Sequence, residues 1–220
     1  MKEALLSWSS GKDSAWALHV LRARPDVNIR GLLTTLNRVH GRVVMHAVRE
    51  SVLEAQAEAV GLRLRKIYLP CPCSNEVYER AMAQTVDEAR AEGIDTIAFG
   101  DLHLEDVRIY RERCLAGTGV APDFPLWGAP TRELAHRMVA SGLKAYVTCV
   151  DPRVLDPSFA GRTFDEEFLE DLPEEVDPCG ENGEFHSFAY DGPMFHTSLA
   201  IARGDVVERE GFVFADLNVA

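Results

Sequence analysis

The chain predicts an α/β fold, a doubly wound parallel sheet followed by a smaller C-terminal α+β lobe. Short apolar runs alternate with segments of helical period as far as residue 150, and a Ser/Gly-rich turn joins the first such run to the first helix. After Asp151-Pro152 the alternation stops: Asp165 to Glu175 carries seven carboxylates in eleven residues, and only short strand-like runs follow. Alternation of the first kind means parallel strands with helices on both faces.

The elements follow in order. Ala4 to Trp8 reads as the first strand, Asp13 to Arg24 as a helix, and Asn28 to Thr35, rich in β-branched and apolar residues, as the second strand. Ala47 to Val60 places apolar residues at 48, 52, 55 and 59, the helical spacing, and Gly61 is a natural stop. Leu64 to Leu69 is the third strand. Asn75 to Ala91 is amphipathic, with Val77, Tyr78, Ala81, Met82, Thr85 and Ala89 on one face, a cap at Ser74 or Asn75, and Gly93 beyond it. Thr96 to Phe99 is the fourth strand and Glu105 to Leu115 the next helix. A Pro/Gly-rich loop from Gly117 to Pro130, a helix to Ser141 and a strand from Leu143 to Val150 complete the first part.

Composition narrows the function. With 220 residues, 46% of them hydrophobic, the chain can bury a sizeable core. A net charge of -12 argues against a broad nucleic-acid-binding face, which needs Lys and Arg to neutralise phosphates. Met1-Lys2-Glu3 and the three apolar residues after it are too short and too acidic for a signal peptide, and no apolar run approaches a membrane span, so a cytoplasmic protein without membrane association is expected. Five cysteines, at 71, 73, 114, 149 and 179, suggest free thiols. Cys71-Pro72-Cys73 lacks zinc-knuckle spacing, while a composite zinc site using Cys179, His186 or His196 stays open.

The turn Ser9-Ser10-Gly11-Lys12-Asp13-Ser14 is the place for a nucleotide phosphate. A glycine lets backbone amides approach an anion, the following helix presents unpaired N–H groups, and Lys12 adds a full charge. It is not a kinase-type P-loop, because the position five before Gly11 is Leu6 and Lys12 is followed by Asp13. It resembles the SGGxDS pyrophosphate loop of the ATP pyrophosphatase superfamily, with Ser10 where glycine is usual. A positive φ there would strain the serine. Ligands of such sheets bind beyond the carboxyl ends of the strands, at the switch point of strand order. Ser9 to Ser14, Thr34-Thr35 and Gly100-Asp101 then border one crevice. Thr34 and its backbone would face adenine or ribose, and Met45 with His46 would cover the base, helix-entry packing being the alternative for Met45. In the second lobe, Gly180 and Gly183 permit a tight turn in which Glu181 and Glu184 converge. Such a pair suits magnesium, ammonium or general-base work, the alternative being a solvated hairpin.

A resemblance across essentially the whole chain joins these pieces. SWSSGKDSAWAL, GLLTTLN with RVVMHAVR, FGDLHLEDVRIYRE, PLWGAPTRELAHRMVASGLKAYVTCVD and, above all, VDPCGENGEFHSFAYDGPMF look like the diphthine-ammonia ligase family. The resemblance implies an adenine nucleotide alpha-hydrolase-like, Rossmann-like ATP-binding PP-loop domain at 1–150 and a substrate lobe at 151–220. It implies ATP and Mg2+ as cofactors, ATP cleaved to AMP and pyrophosphate, and ammonia joined to a small-molecule or protein-borne carboxylate. Ser9, Ser10, Gly11, Lys12, Asp13 and Ser14 would hold the pyrophosphate, with Asp13 a contact for magnesium, and Glu181 and Glu184 would position substrate or ammonia. A homodimer is compatible. Gly100-Asp101-Leu102, Ile109-Tyr110-Arg111 and Glu184-Phe185-His186-Ser187 depart from the archaeal and eukaryotic members and resemble a bacterial branch, for which corrinoid side-chain amidation is one suggestion. A tRNA-thiolating enzyme and a non-catalytic nucleotide sensor are the rival readings.

Overall fold

The computed structural model describes residues 1–43, 46 and 48–220. Its first sheet is built from β1 (Lys2–Ser7), β2 (Val27–Asn37), β4 (Leu64–Leu69), β5 (Thr96–Ala98) and β6 (Ala121–Asp123), paired in parallel in the order β4-β2-β1-β5-β6. A two-residue strand, β3 (Arg42–Val43), folds back antiparallel on the end of β2. β2 is long enough to serve two neighbours in a stagger, pairing Val27 to Leu33 with β1 and Leu32 to Asn37 with β4. The chain runs outward from β1 in one direction through β2 and β4, then returns to add β5 and β6 on the other side. The switch of strand order therefore lies between β1 and β5, where open α/β sheets hold their ligands.

Both faces of this sheet are covered, and the strand period of two divides its apolar residues between them. Leu6, Leu32, Leu36 and Ala98 point into the larger core with α1 (Lys12–Arg22) and α2 (Glu50–Ala59). Leu5, Leu33, Ile67, Ile97 and Phe99 point the other way, toward α3 (Asn75–Ala91) and α4 (Glu105–Leu115). The Ser74 hydroxyl caps α3 by accepting from the Val77 amide. β6 lies inside the segment expected to be a Pro/Gly-rich loop; it carries Pro122 and is an edge strand, where proline is tolerated.

One strand changes sheets relative to expectation. β7 (Lys144–Val150), preceded by α5 (Thr131–Ala140), reads locally like another β-α-β unit. It pairs instead antiparallel with β8 (Phe185–Asp191) and β10 (Phe212–Val219), and β9 (Ile201–Arg209) completes a second sheet in the order β8-β7-β10-β9. The helix-then-apolar-strand pattern is the same in both cases, and only long-range pairing decides between them. Sheet membership thus divides between β6 and β7, whereas residue 150 is the end of β7. The acidic stretch contains α6 (Glu166–Asp171), capped by Asp165, whose carboxylate accepts from the Phe168 amide at 2.9 Å. Its Phe168 stacks edge-on with Phe159 and Phe185 in the core, so the carboxylates form the wet face of a short helix.

Candidate functional site

The turn after β1 is held from three sides. Trp8 and Ser10 are anchored by Gln56 of α2, a fully buried side chain that accepts from the Trp8 indole at 2.7 Å and donates to the carbonyls of Ser10 at 2.9 Å and Ala189 at 2.6 Å. Thr34, buried at the end of β2, donates to the Trp8 carbonyl at 2.7 Å. The Ala189 amide of β8 donates to the Ser10 carbonyl at 3.0 Å. Ser10 itself adopts φ 73°, the left-handed region, and its buried hydroxyl has no partner among the described residues. The strain foreseen for a serine at this position is present.

Gly11 opens α1 under close cover. A Cβ there would stand 2.8 Å from the His46 ring and 3.2 Å from the Ser187 carbonyl, too near for any side chain without displacement. Within the turn, the Ser9 hydroxyl accepts from the Gly11 amide at 3.2 Å and meets the Ser14 hydroxyl at 3.2 Å, while Ser14 donates to the Gly11 carbonyl at 3.0 Å. The Lys12 amide donates to the Ser187 hydroxyl at 3.1 Å.

Lys12 is 1% exposed. Its ammonium donates to the Cys179 carbonyl and to Asp13 Oδ2, the latter at 2.9 Å, and lies over the rings of Phe185 and Phe164 at 5.1 and 5.5 Å. Burial works against the charge and is the largest single effect, but Asp13, by charge and hydrogen bond, together with Cys179 and Glu181 holds the Lys12 pKa above its ordinary value. Asp13 keeps its second oxygen, Oδ1, buried without a partner among the described residues.

These residues floor a cavity of about 400 Å3 that also takes in Thr34, Thr35, His46, Gly100, Asp101 and, from the second sheet's side, Cys179 to Glu181 and Phe185 to Ser187. Ser9, Lys12, Asp13, Ser14, Thr34, His46, Gly100, Asp101 and Glu181 of the expected set are brought together here; Met45 lies outside the described residues. Gly100 packs on the first turn of α1, where a Cβ would sit 3.1 Å from the Asp13 carbonyl carbon. Glu181 accepts from the amides of Leu102 at 2.7 Å and His103 at 3.3 Å, and burial raises its pKa despite those bonds.

Glu184 faces elsewhere. It lines a separate cavity beside Asp151, Arg153 and Asn182, and its Oε1 accepts from Asn182 at 2.9 Å and from the Asp177 amide at 3.0 Å. Its Oε2 is buried without a partner among the described residues. The two glutamates therefore do not converge on one cavity. The zinc combination does not form either. Among the described residues no group of three or more His, Cys, Asp or Glu side chains is placed to hold a metal ion; Cys179 donates its thiol to the Thr131 carbonyl, and the His196 amide donates to Ala59 at the far end of α2.

Several residues have roles that the sequence reading does not assign, including His186, singled out there only as a zinc option. His186 stands 4.8 Å, ring centre to ring centre, from His46, and its Nε2 is buried without a partner among the described residues. Burial holds both rings neutral, with pKa values lowered to about 4 for His46 and about 3 for His186. Tyr78 and Arg111 line the opposite wall. The signature around residue 184 contained His186 and Ser187; Gln56, a polar residue in a helix, carried no signal at all.

Comparison with known proteins matches the two parts separately and completely enough to place the chain. The diphthamide synthase N-terminal domain matches residues 1–122, and the diphthamide synthase C-terminal domain matches residues 130–217. Among curated proteins, the chain is 26% identical over 231 residues to diphthine-ammonia ligase of Homo sapiens, covering 94% of this chain and 85% of the relative, with the same figures for Bos taurus. The diphthine-ammonia ligase of Danio rerio is 28% identical over 130 residues, 57% of this chain and 51% of the relative.

Proposed function

The chain belongs to the diphthamide synthase family, and from that premise we propose that it is an ATP-dependent ligase that joins ammonia to a substrate carboxylate through an acyl-adenylate. The observation that carries this reading is the cavity itself. It lies at the β1/β5 switch point, and both matched parts of the chain contribute to it.

In the proposed reaction a carboxylate oxygen attacks the α-phosphorus of ATP and the bond to pyrophosphate breaks. Ammonia then attacks the acyl carbon, the bond to AMP breaks, and a proton is lost from nitrogen. Ser9 to Ser14 bind the pyrophosphate: Ser9, Lys12, Asp13 and Ser14 line the cavity at the start of α1, and the Gly11 and Lys12 amides exchange the Ser9 and Ser187 hydroxyls for phosphate oxygens beside the buried Lys12 charge. Magnesium bound with the nucleotide would neutralise the triphosphate, and Asp13, which lines the cavity and keeps a buried Oδ1 without a partner among the described residues, is the residue that would turn toward it. Thr34 acts on the nucleotide indirectly, by fixing the Trp8 carbonyl. His46, neutral and seated on Gly11, offers a flat face to the base, with Met45 in the segment beside it. Glu181 spans the gap between the Gly100-Asp101 turn and the second lobe, where it positions the acceptor or ammonia. Glu184 acts from behind, fixing the turn that carries Glu181 through Asp177 and Asn182. The part through β6 serves for ATP binding, and the part that carries the second sheet, from β7 onward, serves as the substrate lobe, so the boundary expected at residue 150 moves ahead of β7.

The test is isotopic. Incubation with Mg-ATP, ammonium and a panel of carboxylic acids labelled with oxygen-18 should yield AMP and pyrophosphate in equal amounts, with one labelled oxygen in AMP for each amide formed. Release of ADP and phosphate, or AMP without label, would contradict the adenylate.

A further inference from the structure

We propose that a second cavity, adjoining the first between α3 and α4, is the acceptor chamber, and that it takes an amphipathic carboxylic acid, with an apolar or aromatic body inside and its carboxylate on Arg111. This rests on the ligase reading above. The chamber measures about 510 Å3 and is floored by apolar residues including Val86, Ile97 and Leu115. Tyr78, Met82, Phe99 and Arg111 line both cavities, so the two share that wall.

The opening has a structural cause. α3 is 17 residues long yet buries only Thr85, Val86 and Ala89, all in its second half, and α4 buries only Leu115, at its last turn. Tyr78, Ala81 and Met82 of α3 are only partly buried against the core on this face of the sheet, and Tyr110, Arg111 and Cys114 from the second half of α4 face them across the chamber.

Arg111 sits at the junction, its guanidinium 4.7 Å above the Phe99 ring. Its contacts, Nε to Asp101 at 3.4 Å and Nη1 to the Tyr78 hydroxyl at 3.5 Å, are longer than ordinary N–H···O hydrogen bonds, and among the described residues none engages Nη2. A planar fork held on an aromatic face and loosely bonded is suited to receive a carboxylate in two-pronged fashion. A carboxylate there lies at the wall shared with the cavity that Lys12 and Asp13 line, where adenylation would occur. Arg113 also lines the chamber, but it is 70% exposed and already paired with Glu79 at 3.6 Å.

The probe is 3-phenylpropionate, with acetate and 3-phenylpropanol as controls, each added to the full chain with magnesium and α,β-methylene-ATP. Cys114 lines the chamber, while Cys71 and Cys73 are exposed elsewhere. The acid should slow alkylation of Cys114 and leave Cys71 and Cys73 unchanged; acetate and the alcohol should protect far less. Ala83→Trp, at an exposed α3 position lining the chamber, should weaken 3-phenylpropionate by about tenfold while methylene-ATP binding is unchanged. Arg111→Met should erase the preference for the acid over the alcohol. Nucleotide binding without protection of Cys114, or wild-type acid affinity in a folded Ala83→Trp, would overturn the chamber alone. No nucleotide binding by the wild type would instead overturn the ligase reading beneath it.

Discussion

Lys12 shows how a residue type visible in sequence acquires a second role from its surroundings. The sequence suggests a charge poised for phosphate, whose loss would spare the fold. In the structure that charge also pins the second lobe, through the Cys179 carbonyl, to the start of α1. Lys12→Met should accordingly cost stability, by about 3 kcal/mol for a broken buried pair, as well as lowering turnover about a hundredfold. Urea unfolding and pyrophosphate release check the two effects independently. Ser10 runs in the opposite direction. Its φ of 73° belongs to glycine, and its hydroxyl is unpartnered among the described residues, so Ser10→Gly should raise stability by about 1 kcal/mol, roughly 2–4 °C in Tm for a chain of this size. Unchanged or lower Tm would mean that the surrounding hydrogen bonds favour serine. His46 and His186 supply a pH signature. Their folded pKa values, about 4 and about 3, lie below the ordinary imidazole value, so on acidification the unfolded chain takes up protons first. Stability should therefore fall as pH drops through about 6.5 and go on falling toward 4. His46→Gln should reduce, but not abolish, the slope of unfolding free energy measured between pH 6.5 and 5, above most carboxylate titration, leaving the share of His186.

Elements were legible where local pattern decides and illegible where partners do. The helix expected at Asn75 to Ala91 spans those residues in the structure, because its apolar period, its Ser74 cap and Gly93 are all local. The pattern of β7 points to the parallel sheet while the structure pairs it with β8 and β10, because nothing within its seven residues distinguishes a sixth parallel strand from the centre of an antiparallel sheet. Gln56 was invisible for a related reason. Its value lies in joining α2, the phosphate turn and β8, three elements far apart in the chain. Gln56→Leu keeps the approximate shape and strands the Trp8 indole and the Ala189 carbonyl, which should cost about 2–4 kcal/mol, the sum for two buried polar groups. Amide hydrogen exchange should quicken around Ser10 and Ala189 more than in β9 and β10. Uniform exchange rates in the variant would mean that the turn is held by other contacts.

At the scale of the molecule, the two parts recognised by separate family matches share one cavity, and its walls come from the turn after β1, the end of β2, the turn after β5 and the loop leading into β8. The switch point could be anticipated from strand order, and with it the meeting of Ser9–Ser14, Thr34 and Gly100-Asp101. The separation of Glu181 from Glu184 could not, because two side chains three residues apart in a Gly-rich turn reach opposite sides according to backbone angles that spacing does not encode. A ligand bridging both parts stabilises them together, and nucleotide at a hundred times its Kd should add about 2.7 kcal/mol. The most direct measurement is a crystal structure of the chain with magnesium and α,β-methylene-ATP. The triphosphate should lie against the amides of Gly11 to Ser14, with magnesium beside Asp13 and the base between the end of β2 and His46; nucleotide bound away from the β1/β5 switch point, or phosphates out of reach of Ser9 to Ser14, would contradict it.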